Sequence, residues 1–348
     1  MDLRRETERA GTNPILRRAR VAIVVLITAE ALMCRAQTAA EREAVRTKMN
    51  HDPNAANLVT SDLPNFWKAW AQASAAATTD EKDKIYQTEY LDKGSAGLKD
   101  FVQERIESAK NLVAVTEKHP KYFAALNEIT PRVLQMEPAI RSSFGKLKEL
   151  YSDAVFPDVY FLIGRMNSGG TTGNSGLLIG LEMHGKTPQT DMTEMDSWLK
   201  NVLGPVDELP GIVAHELIHY QQGPDEDTLL AQAIHEGSAD FIGQMISGQD
   251  TNARLREYGN AHEAALWRGF SKDMKGKDFS HWLYEGDKSK DRPADLGYYM
   301  GYRISESYYQ HAADKKKAIR DILTVTDYEK LLRESHYADK FAPANSGK

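Results

Sequence analysis

Residues 211–220 read Gly-Ile-Val-Ala-His-Glu-Leu-Ile-His-Tyr, and residues 234–240 read Ile-His-Glu-Gly-Ser-Ala-Asp. On an α-helix, positions four apart lie about 40° from each other around the axis, so His215 and His219 share a face and their imidazoles can reach one ion. Glu216 projects to the side, poorly placed as a ligand but able to hold a water against the metal. This spacing is the one by which a zinc-bound water is activated, with the glutamate as general base. A catalytic zinc takes three protein ligands and keeps one position open, and two histidines with a glutamate form one such set. Glu236 would be the third ligand to a single Zn²⁺. Asp240, one turn beyond it, would accept the spare ring N–H of a zinc histidine. An exposed acidic face is the plain alternative for Glu236 and Asp240, but the small Gly237 and Ser238 between them suit close helix packing better.

Elements that could carry these residues are readable nearby. Ile212, Val213, Leu217 and Ile218 are apolar, and neither proline nor glycine interrupts residues 215–222, so a buried amphipathic helix is expected, stopped by Gly223-Pro224. A second helix should start after Asp227 or Thr228 as N-cap and carry Glu236. Residues 158–165 and 176–182 are short β-rich runs separated by a glycine-rich stretch, which predicts two strands joined by a flexible loop. No Gly-Lys-Ser/Thr follows those glycines, which argues against a phosphate cradle. From Ser61-Asp62 to Tyr151 the periodicity is helical, with Phe66, Trp67 and Trp70 as a core stripe and no catalytic constellation. Residues 296–304 read as a further helix crowded with tyrosines. His184 and His235 are expected to be structural rather than ligands.

The strings GLLIGLEMHG, IVAHELIHYQQ and AQAIHEGSADFIGQMISG carry a resemblance. The paired histidines followed by Glu236 and Asp240 look like the gluzincin group of zinc metallopeptidases, whose third ligand is a glutamate on a following helix. The longer strings resemble more closely a bacterial family of predicted zinc-dependent proteases, itself similar to a gliding-motility lipoprotein group. The resemblance runs from about Leu58 to the end. It implies peptide-bond hydrolysis by a zinc-activated water with Glu216 as general base. It also implies an edge strand, Gly176, Leu177, Leu178, Ile179 and Gly180, pairing with a peptide or protein substrate, and an oxyanion donor from Tyr299 or Tyr302. Two rivals carry no hydrolysis: an exported protein in which zinc cross-braces two helices, and a cell-envelope binding module whose helical amino-terminal region is the interaction surface.

The fold expected is α+β and mostly helical: residues 58–152 a helical region, residues 153–348 a zincin-like core with a small sheet, metal-binding helices and further carboxy-terminal helices. Arg17, Arg18 and Arg20 precede a mostly apolar run, residues 21–33, interrupted by Glu30, and Cys34-Arg35-Ala36 is a cleavage-site pattern, so residues 1–36 read as a signal peptide and residues 37–57 as a flexible leader. Export to the periplasm or beyond follows. The alternatives are an uncleaved inner-membrane anchor, with membrane association through this segment only, or a lipid on Cys34. Cys34 is the only cysteine, so neither an intrachain disulfide nor a thiolate zinc site can form. Without residues 1–36 the chain has 37 basic and 46 acidic residues, a net −9, which argues against nucleic acid as a partner.

Overall fold

A computed structural model of the chain describes residues 50–223, 227–285, 289 and 291–342. The expected signal peptide or anchor, its Cys34, and residues 37–49 of the expected leader lie outside the described residues. The described residues form thirteen α-helices, α1 to α13, and four short strands, β1 to β4.

The sheet has the order β1-β2-β4-β3. β1 (Leu58–Val59) and β4 (Gly176–Gly180) both run parallel to β2 (Asp158–Leu162), while β3 (Gly170–Thr172) pairs antiparallel with β4. Two expectations are corrected. Residues 170–172 of the glycine-rich stretch form a strand, whose two threonines suit a pleated surface. Gly176–Gly180 is not an edge, because β2 and β3 occupy both its sides and all five residues are buried. A continuous Leu-Leu-Ile run is what a strand buried on both faces requires.

Residues 50–57 are tied down rather than a mobile leader. The Asn50 carbonyl accepts from Phe156 N at 2.8 Å, Asp158 Oδ1 accepts from Asn57 N at 2.7 Å, and Ala56 is 2% exposed. Pairing β1 to β2 requires this anchoring, since an edge strand of two residues cannot hold its own register.

Ahead of β2 lie α1 (Asp62–Ala75), α2 (Thr79–Tyr86), α3 (Ala96–Phe101), α4 (Ala109–Lys118), α5 (Pro120–Ile129) and α6 (Glu137–Leu150). After the sheet come α7 (Ser197–Val202), α8 (Leu209–Gln221), α9 (Leu229–Ser247), α10 (Ala253–Asp273), α11 (Leu296–His311), α12 (Lys315–Leu323) and α13 (Tyr328–Ser335). The α+β, mostly helical class expected is therefore what is found. One hydrophobic core runs from Ala56 to Tyr337, and α6 packs on α8 and α9, so the core passes straight across residue 152.

α8 and α9 position the candidate metal ligands. α8 begins at Leu209, with Pro210 in its first turn, where a missing N–H leaves nothing unpaired. Its apolar residues face inward nearly all round, as a helix buried between neighbours requires. α9 is capped by Thr228, whose hydroxyl accepts from Ala231 N, and ends at Gly248 with φ 79°, a left-handed conformation that glycine adopts without strain. α9 packs extensively on α11, and at one seam the backbones almost touch. A Cβ on Gly301 would fall 1.6 Å from the Ala233 carbonyl oxygen, and one on Gly237 would fall 2.1 Å from Tyr302 N.

Candidate metal centre

Nε2 of His215 and Nε2 of His219 lie 2.9 Å apart on adjacent turns of α8. Glu236 on α9 brings Oε2 to 3.2 Å from His219 Nε2 and 3.6 Å from His215 Nε2. All three donor atoms lie within 4.8 Å of one another.

The tautomers follow from the partners. Asp240 Oδ1, an acceptor, lies 2.9 Å from His215 Nδ1, so that nitrogen carries a proton. Gln222 faces His219 Nδ1 through Oε1 at 2.7 Å, while its Nε2 donates to the His235 carbonyl at 2.8 Å and to Ser238 Oγ at 2.9 Å. Because the His235 carbonyl can only accept, the amide orientation is settled and His219 Nδ1 is the donor. In the neutral rings both Nε2 atoms therefore present lone pairs to each other and to a carboxylate oxygen. Three converging acceptors need a positive charge between them, and two imidazoles with a carboxylate form a zinc donor set.

The electrostatics agree. Burial depresses His215, but hydrogen bonds to Asp240 and Glu236 outweigh it and hold its pKa well above the usual imidazole value. For His219 burial is likewise outweighed, by the charge of Glu236. Burial raises Glu236, yet the charge of His219 and both histidine hydrogen bonds take it well below the carboxylate range. The environment favours a cation here, whether proton or metal.

Further groups fix Asp240: Asn252 donates to Oδ2 at 2.8 Å, and the Arg256 guanidinium is 3.8 Å from the same oxygen while pairing with Asp250. The half-buried Tyr298 lays its ring along that of His215, centroids 6.3 Å apart at 21°, and burial with the charge of Glu236 holds its hydroxyl well above the usual phenol pKa. His235 is not among the converging donors; its ring stacks on that of His219 at 4.8 Å. Glu216 is 8% exposed, its carboxyl against β3, where a Cβ on Gly170 would fall 2.5 Å from Oε1. Burial raises its pKa, opposed by His219 and His215.

The expected tyrosines point elsewhere. Tyr299 donates to Asn260 of α10 at 3.1 Å, and Tyr302 donates to Gln244 at 2.8 Å, two turns along α9 from Glu236. Tyr298, one position before Tyr299 and hence about 100° round the helix, is the tyrosine of α11 whose ring lies beside His215.

A cleft of about 720 Å³ opens over the site, with His215, Glu216 and Tyr298 on one side and Gly170, His184 and Gly204 on another. His184 Nε2 donates to the Gly169 carbonyl at 3.0 Å, and burial lowers the ring's pKa to about 4, so it is neutral. It is not among the converging donors found in the described residues. Gln222, Tyr298, Tyr284 and Asn252 were not singled out from sequence.

No curated protein matches the chain, and no solved structure does. A family model described as gliding motility protein GldB matches residues 55–339. That match overturns the assignment to gluzincin-type zinc metallopeptidases, and with it the enzymatic reading, in which a peptide substrate is hydrolysed with Glu216 as general base. The paired histidines and third carboxylate describe what can hold an ion, not what the ion does, and here they sit in a different family. The match spans most of the chain, including every element that carries the site, and the chain belongs to the gliding motility protein GldB family.

Proposed function

We propose that this chain is a non-catalytic, zinc-braced binding protein of the cell envelope, working with protein partners in a motility assembly. The observation that carries the zinc brace is the pair of imidazoles whose Nδ1 atoms are both committed, to Asp240 and Gln222, leaving both Nε2 atoms to converge on the Glu236 carboxylate. His215 and His219 of α8 and Glu236 of α9 would hold the ion, which when bound would cross-link the two helices. Membership of a gliding-motility family supports the protein-complex setting. The net negative charge argues against nucleic acid. Export, with the lipoprotein form that the family's short name suggests, accords with the amino-terminal residues.

Metal analysis of the purified chain tests the brace. About one zinc per chain is expected in the wild type and none in His219→Ala. Wild-type protein free of metal after purification in the presence of zinc would overturn it.

A further inference from the structure

Tyr284, between α10 and α11, is 57% exposed and has φ 59°, a left-handed conformation uncommon for a bulky residue. Such backbone is costly and concentrates at functional sites. Its hydroxyl lies 3.1 Å from Glu236 Oε1 and 3.3 Å from Gln232 Oε1, two residues one turn apart on α9. A phenol has one proton to give, and the carboxylate is the stronger acceptor.

Neighbouring groups enforce this placement. Glu285 N donates to Asp295 Oδ1 at 2.9 Å and Asp295 N donates to Glu285 Oε2 at 3.2 Å, a reciprocal pair that closes the neck of the loop behind Tyr284. Asp295 is also left-handed, with φ 63°. The tyrosine is thus held from behind while its hydroxyl takes the outer oxygen of Glu236. The inner oxygen, Oε2, is the one that faces both histidines.

We propose that Tyr284 is the positioning residue for the third metal ligand, engaging Oε1 so that Glu236 offers the ion Oε2 alone. This rests on the zinc-brace reading and adds a contact from the surface to it.

The test compares wild type with Tyr284→Phe, which keeps the ring and removes the hydroxyl. Zinc affinity is read by competition with a chromophoric chelator, and ligand geometry by the visible absorption of the cobalt(II)-loaded protein. Affinity should fall roughly tenfold, as expected for loss of a hydrogen bond behind a ligand. The cobalt spectrum should also change, while the melting temperature of the metal-stripped protein stays the same. An unchanged affinity and spectrum in Tyr284→Phe, with wild type binding zinc, would overturn the clamp alone. A wild type that binds neither zinc nor cobalt would overturn the brace itself.

Discussion

Gln222 holds His219 by its amide oxygen, 2.7 Å from Nδ1, while its amide nitrogen is fastened to α9 through the His235 carbonyl and Ser238. One side chain thus sets the tautomer of a candidate ligand on α8 and ties it to the helix that bears Glu236. Gln222→Ala is expected to weaken zinc binding roughly 10- to 100-fold with little change in secondary structure, measured by chelator competition alongside circular dichroism. An affinity equal to wild type would show that the histidine needs no such orientation.

Zinc should stabilise the folded chain. At a free concentration 100 times Kd the gain is about 2.7 kcal/mol, since the ion binds the native state preferentially. Thermal unfolding with zinc against excess chelator should show a clear rise in Tm for the wild type and none for Glu236→Ala.

Two glycines should respond oppositely to alanine. Gly301→Ala places a methyl 1.6 Å from the Ala233 carbonyl oxygen, so the α9–α11 seam must open, at a cost of about 3 kcal/mol or more. Gly145, inside α6, has nothing within 4 Å of an added Cβ, and Gly145→Ala should stabilise by about 0.5–1 kcal/mol through helix propensity. Denaturant unfolding of both variants checks the pair.

Stability should respond to pH through a buried carboxyl. Burial raises Glu182 from 4.5 to about 7. Its contribution is fully present below about pH 4.5 and is lost as pH rises through 7, by about 3 kcal/mol in all. Glu182→Gln should therefore gain stability over wild type above pH 7 and gain little below 4.5. His184 runs the other way: burial lowers it to about 4, so its contribution is present above 6.5 and lost as pH falls towards 4. Urea unfolding across pH 4 to 8 separates the two, and a Glu182→Gln advantage independent of pH would refute the first.

A peptide-library digest tests the family-based correction directly. Zinc-loaded wild type and Glu216→Gln are expected to leave the library equally uncut. Cleavage by the wild type that the variant loses would restore hydrolysis.

The candidate donors and the carboxylate behind them were legible because they follow helical arithmetic: His215 and His219, then Glu236 and Asp240, each pair lies four apart on a helix, with limits marked by Gly223 and Pro224 for the first and Thr228 for the second. Gln222 was not, since the backbone there has turned extended, with ψ 148°, and no periodicity projects a side chain beyond a helix end. The tyrosines were missed by one residue of helical phase, which only the packing of α11 on α9 decides. β3 was hidden among glycines. The strand next to it was found but placed at the edge, although its unbroken apolar run matched a central position.

On α9, Gly237 directly follows Glu236, and Ala233, whose carbonyl meets Gly301 of α11, lies one turn before it. A zinc brace at Glu236 would therefore be coupled to this close packing, and alanine at either glycine is expected to lower zinc retention as well as fold stability. A random-mutagenesis screen scored only on metal retention should thus recover Gly301, a residue that contributes no donor atom.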